Sequence, residues 1–208
     1  MPDYELEKMA IAAGAGIVAG IDEAGRGPWA GPVIAAAVVL DMAALPKTMI
    51  AAIDDSKKLT AGKREMLFAA LPSYARIGVG RAEVAEIDAT NILAAALTAM
   101  ARAVDALGLP PDVALVDGNR PPKLRCPVEC VVKGDGRSLS IAAASIVAKV
   151  ARDREMAELA NAFPGYGWER NAGYGTAQHQ AALAALGLTP HHRRSFAPIR
   201  RLIKAATS

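Results

Sequence analysis

The sequence is poor in aromatic residues, cysteine and histidine. Phe, Trp and Tyr together make up 4% of 208 residues, which argues against a surface of stacking platforms for single-stranded nucleic acid. Cysteine occurs twice, as Cys126 and Cys130, in one C-x3-C with no second pair and no histidine beside it. That spacing lacks the four ligands of a zinc site and reads as two unpaired, partly buried thiols in a reducing compartment. No apolar run approaches the ~20 residues that a membrane span needs. The opening stretch MPDYELEKMAIAAGAG is charged early and has no long apolar core, so it does not read as a signal peptide. A cytoplasmic protein without membrane contact is expected. No internal repeat and no low-complexity linker interrupts the chain. The net charge of +3 is compatible with a polyanionic partner without showing one, although the stretch HHRRSFAPIRRLIK is clearly basic.

What is present is apolar and small. Hydrophobic residues are 52% of the total, much of it alanine, and the length suits one domain over 1–208 with helices packed closely on a sheet. Short apolar runs predict strands over 16–22, 32–40, 75–82, 112–118 and 127–136, the first three joined antiparallel. Helices are predicted from Thr60 to the break at Pro72, over 83–108, over 138–163 and over 176–187. In the second of these Ile92, Leu93, Leu97, Met100 and Val104 share one face, and Gly108 with Pro110 ends it. Strands come early and then alternate with helices, which gives an α/β layer fold with a mixed sheet and, at about 160–208, a helical annex on that sheet.

Three of the predicted strands stop on an acid in a glycine-rich turn: Asp22 in GIDEAG, Asp117 in VDGN and Asp135 in KGDG, with Glu23 beside the first. Taken singly, each reads as an Asp-Gly turn former. Together they place like charges at strand ends, where functional residues of α/β sheets gather, and such charges repel unless a cation lies between them. Mg²⁺ and Mn²⁺ are the cations that take oxygen ligands of this kind, and four acids have room for two ions. Asp22 and Glu23 share one cluster only if the strand ends or twists between them, because successive strand side chains point to opposite faces. Two nucleotide-binding patterns fail. Gly20-x4-Gly25 is followed by Arg26 and Gly27 where a P-loop has Lys and Ser or Thr. GRGPWA loosely matches a dinucleotide fingerprint, but Pro28 within it and Pro32 after it spoil the helix that such a loop must open.

The ordered motifs GIDEAGRGP, DDSKKL, EIDATNI, VDGNRPPKL, VVKGDGRSLSIAAASIVAKVARDREM and HHRRSF resemble those of bacterial ribonuclease HII, from about Gly16 to Ile203. The resemblance implies a ribonuclease H-like fold: a central mixed five-stranded sheet flanked by helices, with a C-terminal helical extension. It implies endonucleolytic cleavage of RNA in RNA–DNA hybrids and at single ribonucleotides in duplex DNA, leaving 3′-hydroxyl and 5′-phosphate ends. By the same resemblance Asp22, Glu23, Asp117 and Asp135 hold Mn²⁺ or Mg²⁺, two ions with substrate bound. Gly25, Arg26 and Gly27 match the element whose backbone lies against the ribose 2′-hydroxyl. Ser145 and Lys149, one helical turn apart, match a helix that approaches substrate phosphate, and Tyr174 in AGYGT matches the residue that senses the ribonucleotide junction. A monomer is expected. Lys57 or Lys58 of DSKKL is a candidate for a place near nucleic acid, and His191 and His192 for structural or phosphate contacts. The chain departs from the family pattern at Trp29, where leucine is common, and at Asn171 and Ala172, which replace the His-Lys of HKGY. Two rival readings remain on this fold: a nucleic-acid-binding module without catalysis, and another nuclease such as a junction resolvase.

Overall fold

The computed structural model describes residues 1–206; Thr207 and Ser208, at the end of the expected annex, lie outside the described residues. Among these, five strands form one sheet: β1 (Val18–Ala24), β2 (Val33–Leu40), β3 (Ala75–Ala82), β4 (Val113–Asp117) and β5 (Val128–Val131), in the order β3-β2-β1-β4-β5. The β3-β2-β1 half is antiparallel, and β4 and β5 run parallel to β1. The helices are α1 (Glu5–Ala12), α2 (Lys47–Ala52), α3 (Ala61–Ala70), α4 (Val84–Ala89), α5 (Ile92–Asp105), α6 (Leu139–Ala162), α7 (Trp168–Asn171), α8 (Ala177–Leu186) and α9 (Ala197–Ala206). The expected mixed five-stranded sheet with flanking and C-terminal helices is present.

The alanine content has a structural use. Helix α5 lays Ala95, Ala96, Ala99 and Ala103 on one face of the sheet, and α6 lays Ala142, Ala143, Ala144 and Ala148 on the other. Small side chains let helix and sheet approach closely, and two strand glycines complete the fit. A Cβ on Gly80 would run into the carbonyl of Ala99, and one on Gly20 into the backbone of Ser140. Gly20 therefore sets how near α6 comes to β1, two residues before Asp22.

Three expectations need correction. The pattern over 83–108 is two helices, not one: Asn91 caps α5 by accepting from the N–H of Ala94 (2.9 Å), and Thr90 leaves helical geometry. Its buried face is mostly alanine, with Met100 and Val104, while Leu93 and Leu97 are only half-buried. Helices α1 and α2 had no strong apolar period to announce them. Helix α1 is fixed instead by buried Glu7, whose Oε1 accepts from the hydroxyls of Ser138 and Ser140 (2.6 Å each) and from the N–H of Ser140 (2.9 Å) at the start of α6. The annex packs mainly on α6, with Phe196 reaching the cluster between the sheet and α5. Its core of Tyr166, Trp168, Ala182, Leu183 and Ile199 closes over Met156 and Ala160 of α6 and over Ala30 of the β1–β2 connection. The helices predicted to begin at 60, 138 and 176 do begin there, and the hydroxyls of Thr60, Ser138 and Thr176 cap them.

That connection, residues 25–32, is held by two buried guanidinium groups. Arg193, 0% exposed, donates to the carbonyls of Gly25 (2.6 Å), Arg26 (3.1 Å), Gly31 (2.9 Å) and Pro32 (3.1 Å). Arg152, 1% exposed, donates to Pro32 (3.1 Å), Ala30 (3.2 Å) and, in the annex, Ala172 (3.0 Å). Burial pushes both below the usual arginine range, Arg193 to about 9 and Arg152 to about 10, and the positive charge of Arg152 adds to the effect on Arg193. Both stay charged at neutral pH, compensated by carbonyl dipoles in place of carboxylates. Replacing Arg193 with Met takes the donor from the carbonyls of Gly25, Arg26 and Gly31, while Pro32 keeps Arg152, and we expect a loss of stability on the order of 3 kcal/mol. A shift in the urea unfolding midpoint measures this, and Arg193→Lys should recover less than half, since an ammonium cannot reproduce the planar fork. An unchanged midpoint in Arg193→Met contradicts the assignment.

Candidate active site

The acids meet where the parallel ladder of β1 and β4 runs out. Ile21 pairs with Val116, and β4 ends one residue later, so Asp22 and Asp117 come abreast at the sheet edge. Strand β1 itself does not stop there. Asp22 and Glu23 lie within it, paired with Ala36 and Ala35 of β2, which corrects the expectation that Asp22 ends its strand. Asp135 is not at a strand end either. Strand β5 stops at Val131, Lys133 turns the chain through a left-handed conformation (φ 56°), and a single 3₁₀ turn, Gly134–Gly136, brings Asp135 back towards the sheet. The N–H of Gly134 donates to Asp117 Oδ1 (2.6 Å), which ties this turn to the end of β4.

Nine of the ten predicted site residues line one cleft: Asp22, Glu23, Gly25, Arg26, Gly27, Asp117, Ser145, Lys149 and Tyr174, joined by Lys57, Ser56 and Arg152. Asp135 sits at its border, 3.5 Å from Lys57 Nζ. Asp22 is 4% exposed, and among the described residues its carboxylate takes one hydrogen bond, from the N–H of Glu23 (2.7 Å). Burial, followed by the charges of Glu23 and Asp117, holds its carboxyl well above the usual range. Burial also raises Glu23, against the pull of Arg26 (Nη1 to Oε1, 3.2 Å). The other oxygen of Glu23 is buried with no hydrogen-bond partner among the described residues. Asp135 is raised by burial and by Asp55 and Asp117, with Lys57 opposing. The acids face one cleft without closing into a cage: among the described residues no three carboxylate, imidazole or thiol groups form a ready coordination shell. Glu23 is turned to Arg26, Asp117 to Gly134 and Asp135 to Lys57.

The remaining predicted residues have clear tasks. Ser145 is buried, accepts from the N–H of Ser56 (3.3 Å) and donates to the carbonyl of Ala142 (2.9 Å). It thus anchors the loop that presents Lys57, and Arg64 clamps that loop from the other side through the carbonyls of Ser56 (3.0 Å) and Leu59 (2.6 Å). Lys149 pairs with Asp153 (2.6 Å) along α6. Tyr174 is 50% exposed, and its ring lies so near Gly27 that a Cβ there would be 3.3 Å from Cε1. Trp29 fills the space over Gly175, its N–H donating to Gly173 (2.8 Å). Asn171 accepts from the N–H of Gly173 (2.9 Å) and donates to Tyr166 (2.8 Å), shaping the turn in which Ala172 takes a left-handed conformation. Sequence reasoning missed Arg152 and Arg193 as supports and passed over His179, which is fully buried behind Tyr174. Nothing in a single arginine or histidine announces burial. The signal was their place in motifs next to the site residues. The free thiols Cys126 and Cys130 are partly buried and outside the cleft. No described helix is long and apolar enough to cross a membrane.

Comparison with known proteins agrees with this architecture. The Ribonuclease HII family model matches residues 19–199. A ribonuclease HII of Paramagnetospirillum magneticum is 63% identical over 199 residues, covering 96% of this chain and 97% of its relative. One from Rhodospirillum rubrum is 60% identical, covering 98% and 92%. Among solved structures, ribonuclease H2 from Pyrococcus horikoshii superposes with a TM-score of 0.78 at 28% identity, over 92% of this chain and 99% of the other. A Bst-RNase HIII in complex with Mn²⁺ shares the fold, with a TM-score of 0.73 at 20% identity over 91% and 70%. With its acids, its glycine loop and its tyrosine turn all inside the matched span, the chain belongs to the ribonuclease HII family.

Proposed function

We propose that this ribonuclease cuts the RNA strand of RNA–DNA hybrids and single ribonucleotides embedded in duplex DNA, as a cytoplasmic monomer, leaving 3′-hydroxyl and 5′-phosphate ends. The observation that carries this is the position of the Gly25–Gly27 loop beside the carboxylates. The carbonyls of Gly25 and Arg26 are turned inward onto Arg193. A trans peptide sets its N–H opposite its carbonyl, so the N–H groups of Arg26 and Gly27 point away from Arg193. Donors fixed in this way suit a ribose 2′-hydroxyl and its phosphate, and the 2′-hydroxyl is the group that separates RNA from DNA. Gly25 makes room for Arg152, which a Cβ there would strike, and the absence of a side chain at Gly27 leaves the main chain open to a sugar beside Tyr174.

The residues fit hard divalent cations. Asp22 is buried with its charged form disfavoured, and Glu23 has an orphaned buried oxygen; both are relieved by a cation in the cleft. Asp22, Glu23, Asp117 and Asp135 would hold Mg²⁺ or Mn²⁺, two ions with substrate present. Such ions supply stabilisation of charge on the phosphate and a more acidic attacking water. The chain's own residues do the rest. Lys57, Arg26 and Lys149 offer positive charge to the phosphates flanking the cut. Tyr174, standing against Gly27, stacks on the sugar and base next to the ribonucleotide. Ser145 holds the Ser56–Lys57 segment in place.

Two outcomes test this reading. Asp22→Asn and Asp117→Asn should each lower cleavage of a duplex with one ribonucleotide by at least about a hundredfold, with unchanged circular dichroism, while the wild type leaves an all-DNA duplex intact. Full activity in either variant, or cutting of the all-DNA duplex, sinks it. The second outcome concerns stability in metal-free buffer. A carboxyl raised by folding binds its proton more tightly in the folded state, so its contribution is present at low pH and is lost as pH rises through the raised value. Asp22→Asn removes that loss. It should unfold at higher urea than the wild type at pH 7.5, with the difference shrinking as the pH falls towards the ordinary carboxylate range. A variant less stable than the wild type at pH 7.5 contradicts the burial argument.

A further inference from the structure

Behind Tyr174 lies a pair of histidines that the site described above does not use. His179 and His192 are 0% and 1% exposed, and their Nε2 atoms are 3.0 Å apart. The surrounding atoms fix which nitrogen carries each proton. His179 Nδ1 is 2.9 Å from the carbonyl of Tyr174, which only accepts, so Nδ1 bears the hydrogen. In a neutral ring Nε2 is then bare, and the indole N–H of Trp168, a donor only, points at it from 3.2 Å. His192 Nε2 faces the same bare nitrogen and must donate. His192 Nδ1 is left as an acceptor, and there the N–H of Thr189 reaches it at 2.9 Å and the hydroxyl of Thr189 at 2.9 Å. One assignment is compatible with all five contacts, the bare nitrogen of each ring being shared between two donors.

The pair has to stay neutral for this chain of bonds to exist. A proton on His179 would set its Nε2–H against two other donors. Burial lowers both rings, with His179 adding to the effect on His192, which falls to about 4. The aromatic rings of Trp168 (5.3 Å from the His192 ring), Tyr166 (5.1 Å) and Trp29 (5.9 Å from the His179 ring) wall the pair off from solvent.

The bonds end on Tyr174, whose ring is half exposed and so is not directed by its own burial. Its direction comes from its backbone, whose carbonyl takes the N–H of Thr176 (2.8 Å) and the Nδ1–H of His179. On the far side of that backbone the ring meets Gly27. We propose that His179 and His192 form a tautomer-locked relay, Thr189 to His192 to His179 to Tyr174, which positions the Tyr174 ring against the Gly25–Gly27 loop and makes both histidines positioning residues for recognition of the ribonucleotide junction. This rests on the junction-reading role of Tyr174 proposed above.

The test has a spectroscopic arm and a kinetic arm. In long-range ¹H–¹⁵N spectra of the full-length wild type at pH 7.5, His179 should appear as the Nδ1–H tautomer and His192 as the Nε2–H tautomer. An Nε2–H tautomer at His179 overturns the relay. Kinetically, His179→Phe keeps a ring but loses the donor, and should lower kcat/KM on a single-ribonucleotide duplex by about tenfold. His179→Asn, whose amide nitrogen sits near the lost Nδ1, should recover most of it. The deciding comparison is a double-mutant cycle: in a Tyr174→Ala background His179→Phe should cost less than twofold. An equal loss in both backgrounds means a general structural effect and ends the proposal, as does wild-type activity in His179→Phe. If Tyr174→Ala itself cleaves normally, the reading of Tyr174 fails and the proposal falls with it. If Tyr174→Ala is impaired but the cycle is additive, the relay alone fails.

Discussion

A carboxylate cannot be charged inside a sheet edge without something positive to face. Asp22 is almost wholly buried, with Glu23, Asp117 and Asp135 as its charged neighbours. Desolvation and like charge both act against ionisation there. The chain supplies only partial relief, through Arg26 at Glu23 and Lys57 at Asp135. The excess negative charge is the basis of the proposed cation site, and it is a standing cost to the fold. The rest of the structure is arranged around keeping these groups where they are.

Much of that arrangement is done by buried positive charge placed one layer further back. Arg193 and Arg152 do not pair with the acids; they collect carbonyl oxygens of the β1–β2 connection. The consequence is directional. With its carbonyls pulled inward the Gly25–Gly27 segment presents N–H groups on the other side, next to the carboxylates. Arg152 also reaches Ala172, so the Gly25–Gly27 loop and the tyrosine turn share one support. The annex is thus more than an appendage. Its apolar core incorporates Ala30, and without it the loop beside the acids would lose the layer it rests on.

The legible part of the sequence was the part whose physics is local. The helix starts at Thr60, Ser138 and Thr176 follow from hydroxyl geometry over three residues. Apolar runs between glycine-rich turns mark the strands, and acids in such turns stand out against an apolar background. The resemblance supplied the roles proposed for Gly25–Gly27 and Tyr174. What was not legible depends on long-range packing. Asp135 was read as a strand end because KGDG continues an apolar run, whereas β5 stops at Val131 and the acid returns on a 3₁₀ turn. Of the face read on α5, Met100 and Val104 are buried and Ile92 and Leu97 pack against the same cluster, but the alanines that close approach to β3 selects were not read. Arg193 and His179 look like ordinary polar residues until the fold shows what surrounds them.

The most direct test of the electrostatic account is the titration of Asp22 itself, by carboxyl ¹³C NMR, in metal-free buffer and again with Mg²⁺ against a Na⁺ control of equal ionic strength. The account requires a midpoint well above the ordinary aspartate range without divalent ion, brought down by Mg²⁺ and left in place by Na⁺. An Asp22 that titrates like a surface aspartate in metal-free buffer, or whose raised midpoint Mg²⁺ does not move, would contradict it.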